Sequence, residues 1–135
     1  MKKLVRTSTV YAVLGTAAAV FYLAFTKQHH FEGTSLLSSL YLFIFALGTV
    51  FHLLLAVLEK LFTLSQHKLF NIFYWILNCG IILSSLVMLG KGMITVTGGQ
   101  RSSLLAAMTG MSHTVTLVAG VLFFLIINQL MTKEN

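Results

Sequence analysis

The sequence predicts an all-α membrane protein: four antiparallel transmembrane helices in a bundle, with both termini cytoplasmic. Three observations lead there. Of its 135 residues, 57% are hydrophobic and 9% charged, too few polar groups to coat a soluble globule of that size. Apolar runs at about 4–25, 35–60, 69–90 and 103–130 each reach the roughly 20 residues a helix needs to cross a bilayer. Short connections separate them, so 1–135 forms a single transmembrane domain with no extramembrane domain left over. The basic residues stand at the ends of the runs. Lys2, Lys3, Arg6, Lys60, Lys68 and Lys133 fall on one side and Lys27, Lys91 and Arg101 on the other, which makes both termini cytoplasmic. The net charge of +6 is therefore a topology signal, and no nucleic-acid partner is expected. The expected location is the cell membrane, as a multi-pass protein.

The first run follows Met1-Lys2-Lys3 and contains Ala17-Ala18-Ala19, a combination that resembles a signal peptide. The apolar stretch continues well past those alanines, which favours a retained first helix. Gly15 with Ala19, and Ala12 with Thr16, offer a small-residue face for a neighbouring helix. In the connection that follows, His29, His30 and Glu32 are possible metal ligands, but adjacent side chains diverge, so a solvated loop is expected.

Ser35 is placed to cap the second helix. On an α-helical period, Ser38, Tyr41, Phe45, Gly48, His52, Leu55 and Glu59 form one stripe of small, aromatic and polar groups, the face expected to meet the rest of the bundle. Glu59 is expected to pair with nearby lysines. The third run carries Asn71, Tyr74, Asn78 and Ser85 at helical spacing, with Gly80 and Ser84 marking a close-packing surface. Cys79 has no partner for a disulfide and is expected to be a small buried hydrophobe. The stretch from Gly90 to Ser103 is expected to be the longest connection. In the last run, Ala106, Gly110, His113 or Thr114, Leu117 and Gly120 share a face, and the small neighbours of His113 are expected to turn its imidazole into the bundle.

Tyr41, His52, Tyr74, Asn78 and His113 are thus the candidate interhelical polar contacts. At about 1.5 Å per residue, His52 falls roughly 7 Å to the cytoplasmic side of the midplane and His113 roughly 4 Å to the outer side. That separation makes them a poor joint metal site, and His52 is expected to bond Tyr74 instead. No Asp occurs and no Glu lies near the bilayer centre, which disfavours proton-coupled export. No nucleophile, base and orienting acid line up, so no catalytic residue is assigned.

Several strings carry a resemblance: Val20-Phe21-Tyr22, Phe25-Thr26-Lys27, Leu47-Gly48, Leu58-Glu59-Lys60, Phe73-Tyr74-Trp75, Gly110-Met111-Ser112-His113 and Leu122-Phe123-Phe124. In order and spacing they resemble, over nearly the whole chain, domain of unknown function 2871, a bacterial family of four-helix membrane proteins without an established activity. The resemblance implies a small relative of haem- or copper-binding membrane bundles, with a His-x-His pair before the Leu-Gly and a histidine matching His113. Counted back from Leu47-Gly48, that pair falls on Tyr41 and Phe43, neither of which can replace an imidazole at haem or copper. Tyr41 is then the expected hydrogen-bond partner of His113.

The expected function is that of a non-enzymatic accessory or interaction subunit without a cofactor, meeting a membrane protein partner or a second copy in the bilayer. The alternative is a haem- or copper-binding redox protein using His113, with His52 or Tyr41 as second ligand. A small transporter, with a water-lined cavity among Tyr41, Tyr74, Asn78 and His113, is the third reading.

Overall fold

A computed structural model describes residues 1–100 and 102–133, and of Lys133 only the backbone; Arg101, counted above in the charge pattern, lies outside the described residues. The described residues hold four helices long and apolar enough to cross a membrane. They are α1 (Lys2–Gln28), α2 (Leu36–Phe62), α3 (Phe70–Thr97) and α4 (Ser103–Lys133). A single 3₁₀ turn, Leu64–Gln66, lies between α2 and α3.

Ser35 begins α2 as the sequence suggests: its backbone is extended and its Oγ accepts the Leu37 N–H at 3.2 Å. Losing that cap in Ser35→Ala should cost about 1 kcal/mol of stability, measurable by unfolding titration in detergent. Within α2, the seven residues Ile44–Val50 are π-helical, and the Phe51 N–H reaches back to the Ala46 carbonyl. This wider turn changes which residues face inward. The buried positions are Leu37, Leu40, Ile44, Gly48, His52, Leu55 and Ala56. The second half of the expected stripe is therefore present, while the first half is moved from Ser38, Tyr41 and Phe45 by one residue. The end of α2 closes on Thr63, whose left-handed φ of 48° stops the helix. Among the described residues Glu59 pairs with no lysine. Its carboxylate accepts the Ser65 backbone N–H at 2.7 Å and the Ser65 hydroxyl, which ties the turn to the helix.

α3 runs on through Gly90-Lys91-Gly92 to Thr97 rather than ending near residue 90. Gly92 is buried, and a Cβ there would come within 2.7 Å of the Leu37 backbone nitrogen, so this glycine admits the start of α2 instead of making a turn. The actual stop is Gly98, at φ 69°. Cys79 is exposed on α3 rather than buried, one residue beyond the inward-facing Asn78.

α1 packs along α2, α2 along α3, and α3 along α4. Small residues sit where the helices come closest: Gly15 against the Phe45 ring and Gly80 against Thr116, each at 3.0–3.1 Å from a built Cβ, and Gly48 against Tyr11, closer still. The core gathers inward faces of all four helices, including Leu4, Tyr11, Leu37, Leu55, Phe73, Ile81, Ala119 and Ile126.

Candidate functional site

Two features combine polar chemistry with defined geometry: a buried hydrogen-bonded chain where α1, α2 and α3 meet, and a cleft between α2 and α4 at the end nearer the connections 29–35 and 98–102. The chain starts in the π-helical turn. Because the Phe51 N–H has gone to Ala46, the Leu47 carbonyl is open to a side chain, and His52 Nδ1–H donates to it at 3.2 Å. A carbonyl can only accept, so this bond fixes the proton on Nδ1 and leaves Nε2 as an acceptor. Asn78 Nδ2 donates to that Nε2 at 3.4 Å and to the Tyr74 carbonyl at 2.7 Å. The Tyr11 hydroxyl, reaching across from α1, donates to Asn78 Oδ1 at 2.9 Å. Three helices are thereby joined through one amide, and His52 is fully buried with both nitrogens engaged.

Tyr74 meets His52 through ring contact, at 6.1 Å between centroids and nearly perpendicular, instead of by the expected hydrogen bond. Its hydroxyl pairs with Thr7 at 2.6 Å, and the Lys3 ammonium lies 3.8 Å over its ring. A second link clamps the π turn, as Ser8 Oγ donates to the Thr49 carbonyl at 3.0 Å. Thr7, Ser8 and Tyr11 were not singled out from the sequence. The signal was available: Leu4, Ser8, Tyr11, Gly15, Ala18 and Tyr22 recur at steps of four and three and form the face that α1 turns inward.

α4 presents the opposite side from the one expected. Ser112, Ala119 and Ile126 are buried, whereas Ala106, Gly110, His113, Leu117 and Gly120 are exposed or border the cleft. His113 is exposed, and its Nδ1–H donates to the Thr109 carbonyl one turn back at 2.7 Å. Tyr41 does not bond it, because the Tyr41 ring stacks on Tyr22 of α1 at 6.2 Å. Of the two α2 positions that the resemblance singles out, only Phe43 shares a groove with His113.

The cleft has two compartments. A polar cavity of about 780 Å³ lies among Thr34, Ser35, Ser38, Ser39, Lys91, Thr95 and Ser102, with Leu36, Ile94, Leu105 and Ala106 completing its wall. Next to it, an apolar groove of about 390 Å³ runs between Phe43 on α2, Val87 and Met88 on α3, and Thr109, His113 and Leu117 on α4. Leu36 and Lys91 line both. Lys91, expected in a connection, sits on α3, half-buried between the two compartments.

The family model described as a protein of unknown function, DUF2871, matches residues 1–130. The chain belongs to the DUF2871 family. No curated protein matches it, and no solved structure does.

For this DUF2871 chain, the residues proposed for haem or copper do not fit either group. His52 has no free nitrogen, and Tyr41 and His113 are turned toward different neighbours. Among the described residues, no three His, Cys, Asp or Glu side chains converge as metal ligands. His29 and His30 stand exposed in their connection, His29 Nδ1 holding the Phe25 carbonyl at 2.9 Å.

Proposed function

We propose that this DUF2871 chain is a non-enzymatic accessory subunit of the cell membrane that binds a helix of a different membrane protein along the outward face of α4. Its spans run antiparallel with both termini cytoplasmic, as the excess of Lys and Arg beside the termini and the residue 63–69 turn supports. It works without haem or copper, and the engaged nitrogens of His52 support that. Tyr74 and Asn78 lie in the packed core while His113 lies outside it, which argues against a water-lined transport path shared by them.

The observation that carries the proposal is the exposed seam Ala106, Gly110, His113, Leu117, Gly120 and Phe124, spaced four and three apart. α4 rests chiefly on α3, and nothing lies within 4 Å of a Cβ built at Gly110 or Gly120. Those glycines serve no packing inside the chain, yet they would let another backbone approach closely. An imidazole facing lipid has an unmet hydrogen bond, which disfavours leaving this face bare. His113 Nε2 is the acceptor, since Nδ1 carries the proton. A second copy lying parallel across a two-fold axis would present the same acceptor at the same level, so a different helix bearing a donor is the better complement.

Photo-crosslinkers at Leu117 and Phe124 should capture one defined membrane protein, and a crosslinker at Val50, exposed on α2, should not. Gly110→Leu and Gly120→Leu should abolish capture while leaving thermal stability in detergent unchanged. Capture of lipid alone from every position, or capture indifferent to both glycine variants, would refute the proposal.

A further inference from the structure

The two compartments of the cleft have different chemistry and one shared cation. Lys91 lines both compartments together with the hydroxyl residues of the polar cavity, and among the described residues no carboxylate is present in either lining. The hydroxyls are not equivalent. Ser38 donates to the Ser35 carbonyl at 2.7 Å, and Thr95 to the Lys91 carbonyl at 2.9 Å, so those two protons are spent within their own segments. Among the described residues the Thr34, Ser39 and Ser102 hydroxyls hold no hydrogen bond and Ser35 Oγ only accepts, which leaves four hydroxyl donors in a lining that also contains Lys91. An ammonium and hydroxyl donors in one lining have the chemistry to hold an oxyanion. The starts of α2 and α4 also border this cavity and add partial positive charge of the same sign.

A small anion would need only that half. The groove beyond Leu36 and Lys91 is lined on its apolar side by Phe43, Val87, Met88 and Leu117. Farther along α2 and α4, Phe51 and Phe123 meet edge to face at 5.4 Å. A mainly apolar groove that begins at the cation suits a chain attached to an anionic head.

We infer that this cleft binds an amphiphile with a phosphate-bearing head group, its phosphate held by Lys91 and the hydroxyls of Thr34, Ser39 and Ser102, and one acyl chain laid in the groove between α2 and α4. The cleft shares Ala106, His113 and Leu117 with the docking seam proposed above, whereas Lys91, Thr34, Ser39 and Ser102 lie outside that seam, so the Lys91 variants test the cleft alone.

The test uses the full chain in mild non-ionic detergent, with native mass spectrometry of retained lipid and thermal unfolding as readouts. Phosphatidylglycerol should be retained at one per chain, about tenfold more strongly than phosphatidylcholine of the same chain length. Lys91→Gln should reduce that retention to the phosphatidylcholine level, and Lys91→Arg should preserve it. Ser84→Phe, which fills the groove without touching the cation, should weaken retention of both lipids; should that variant not fold, the Lys91 pair still decides. Equal retention of the two lipids, or retention unchanged in Lys91→Gln, would overturn the inference. Inorganic phosphate alone stabilising the chain as much as phosphatidylglycerol, with the same dependence on Lys91, would overturn it in favour of a small-anion site.

Discussion

Gly48→Ala should destabilise the bundle more than an added methyl group at any exposed glycine of the chain. A Cβ at position 48 would lie 2.5 Å from Tyr11 Cγ, 2.7 Å from its Cβ and 2.8 Å from Cδ1. These atoms belong to the root of the side chain, so the ring cannot swing clear while α1 stays in place. Nor is the far end of Tyr11 free, since its hydroxyl is committed to Asn78 across the bundle. Relief therefore requires α1 and α2 to separate, which also pulls Ser8 from the Thr49 carbonyl. Overpacking of this kind costs about 1–3 kcal/mol, and the lost hydrogen bonds place Gly48→Ala at the upper end. Unfolding titrations in detergent should find Gly110→Ala and Gly120→Ala unchanged, because open space surrounds both positions. Equal stabilities for Gly48→Ala and Gly110→Ala would mean that the close approach of Tyr11 to Gly48 is not used in the folded protein.

Gly48 was legible in the sequence as part of a stripe, but the turn around it was not. A stripe drawn at steps of three and four assumes an α-helical period throughout. Across Ile44, Gly48 and His52 the buried positions recur at steps of four, which is what an inserted π turn does to a helix. That insertion leaves Gly48, His52 and Leu55 inward and moves the preceding half to Leu37, Leu40 and Ile44. Two of its ties come from α1, where Tyr11 packs on Gly48 and Ser8 takes the Thr49 carbonyl, and the third is His52 of α2 itself, bonded to the Leu47 carbonyl. The pattern of α2 alone does not encode the two from α1.

The four spans were legible because length and hydropathy are local properties. Which face of α4 turns inward was not, for a different reason. In a bilayer both faces are apolar, so the pattern that separates core from solvent in a soluble helix carries little information. Gly110 and His113 marked a face fit for close contact, but the sequence could not say whether the contact was internal. Ser112, one position away, is the buried residue, with its hydroxyl bonded to the Thr109 carbonyl. Glycine was also ambiguous in α3. Gly90 and Gly92 had the composition of a turn, yet Gly92 is an interior position shaped to the Leu37 backbone, and this error hid Lys91 from view as a cleft residue.

Asn78→Leu, close to isosteric, should expose how far the buried chain holds the π turn in register. The substitution removes the acceptor of the Tyr11 hydroxyl and the donor to His52 Nε2, leaving two buried polar groups without partners. An orphaned buried group costs about 1–3 kcal/mol, while interhelical hydrogen bonds in membranes average nearer 0.6 kcal/mol when cycles are closed. The Tyr11 and His52 rings are 5.4 Å apart, so the hydroxyl can turn toward the vacated Nε2 and recover part of the loss. A net loss of about 2 kcal/mol is expected, with Tyr11→Phe alone losing less, because Asn78 serves three partners and Tyr11 one. In the double mutant the two losses should fall short of additive by about 1 kcal/mol; additivity to within about 0.3 kcal/mol would show that the pair does not interact. A structural consequence separates this chain from ordinary packing. Once His52 loses Asn78, its ring is held by the Leu47 carbonyl, by contact with the Tyr11 and Tyr74 rings and by what the Tyr11 hydroxyl recovers, and the Leu47 bond is one of the two side-chain ties to the π turn. Amide exchange in Asn78→Leu should therefore accelerate first at residues 47–51, ahead of the rest of α2. Uniform acceleration along α2 would instead assign the π turn to the packing of Tyr11 on Gly48, and the polar chain would then hold the helices together without setting their register.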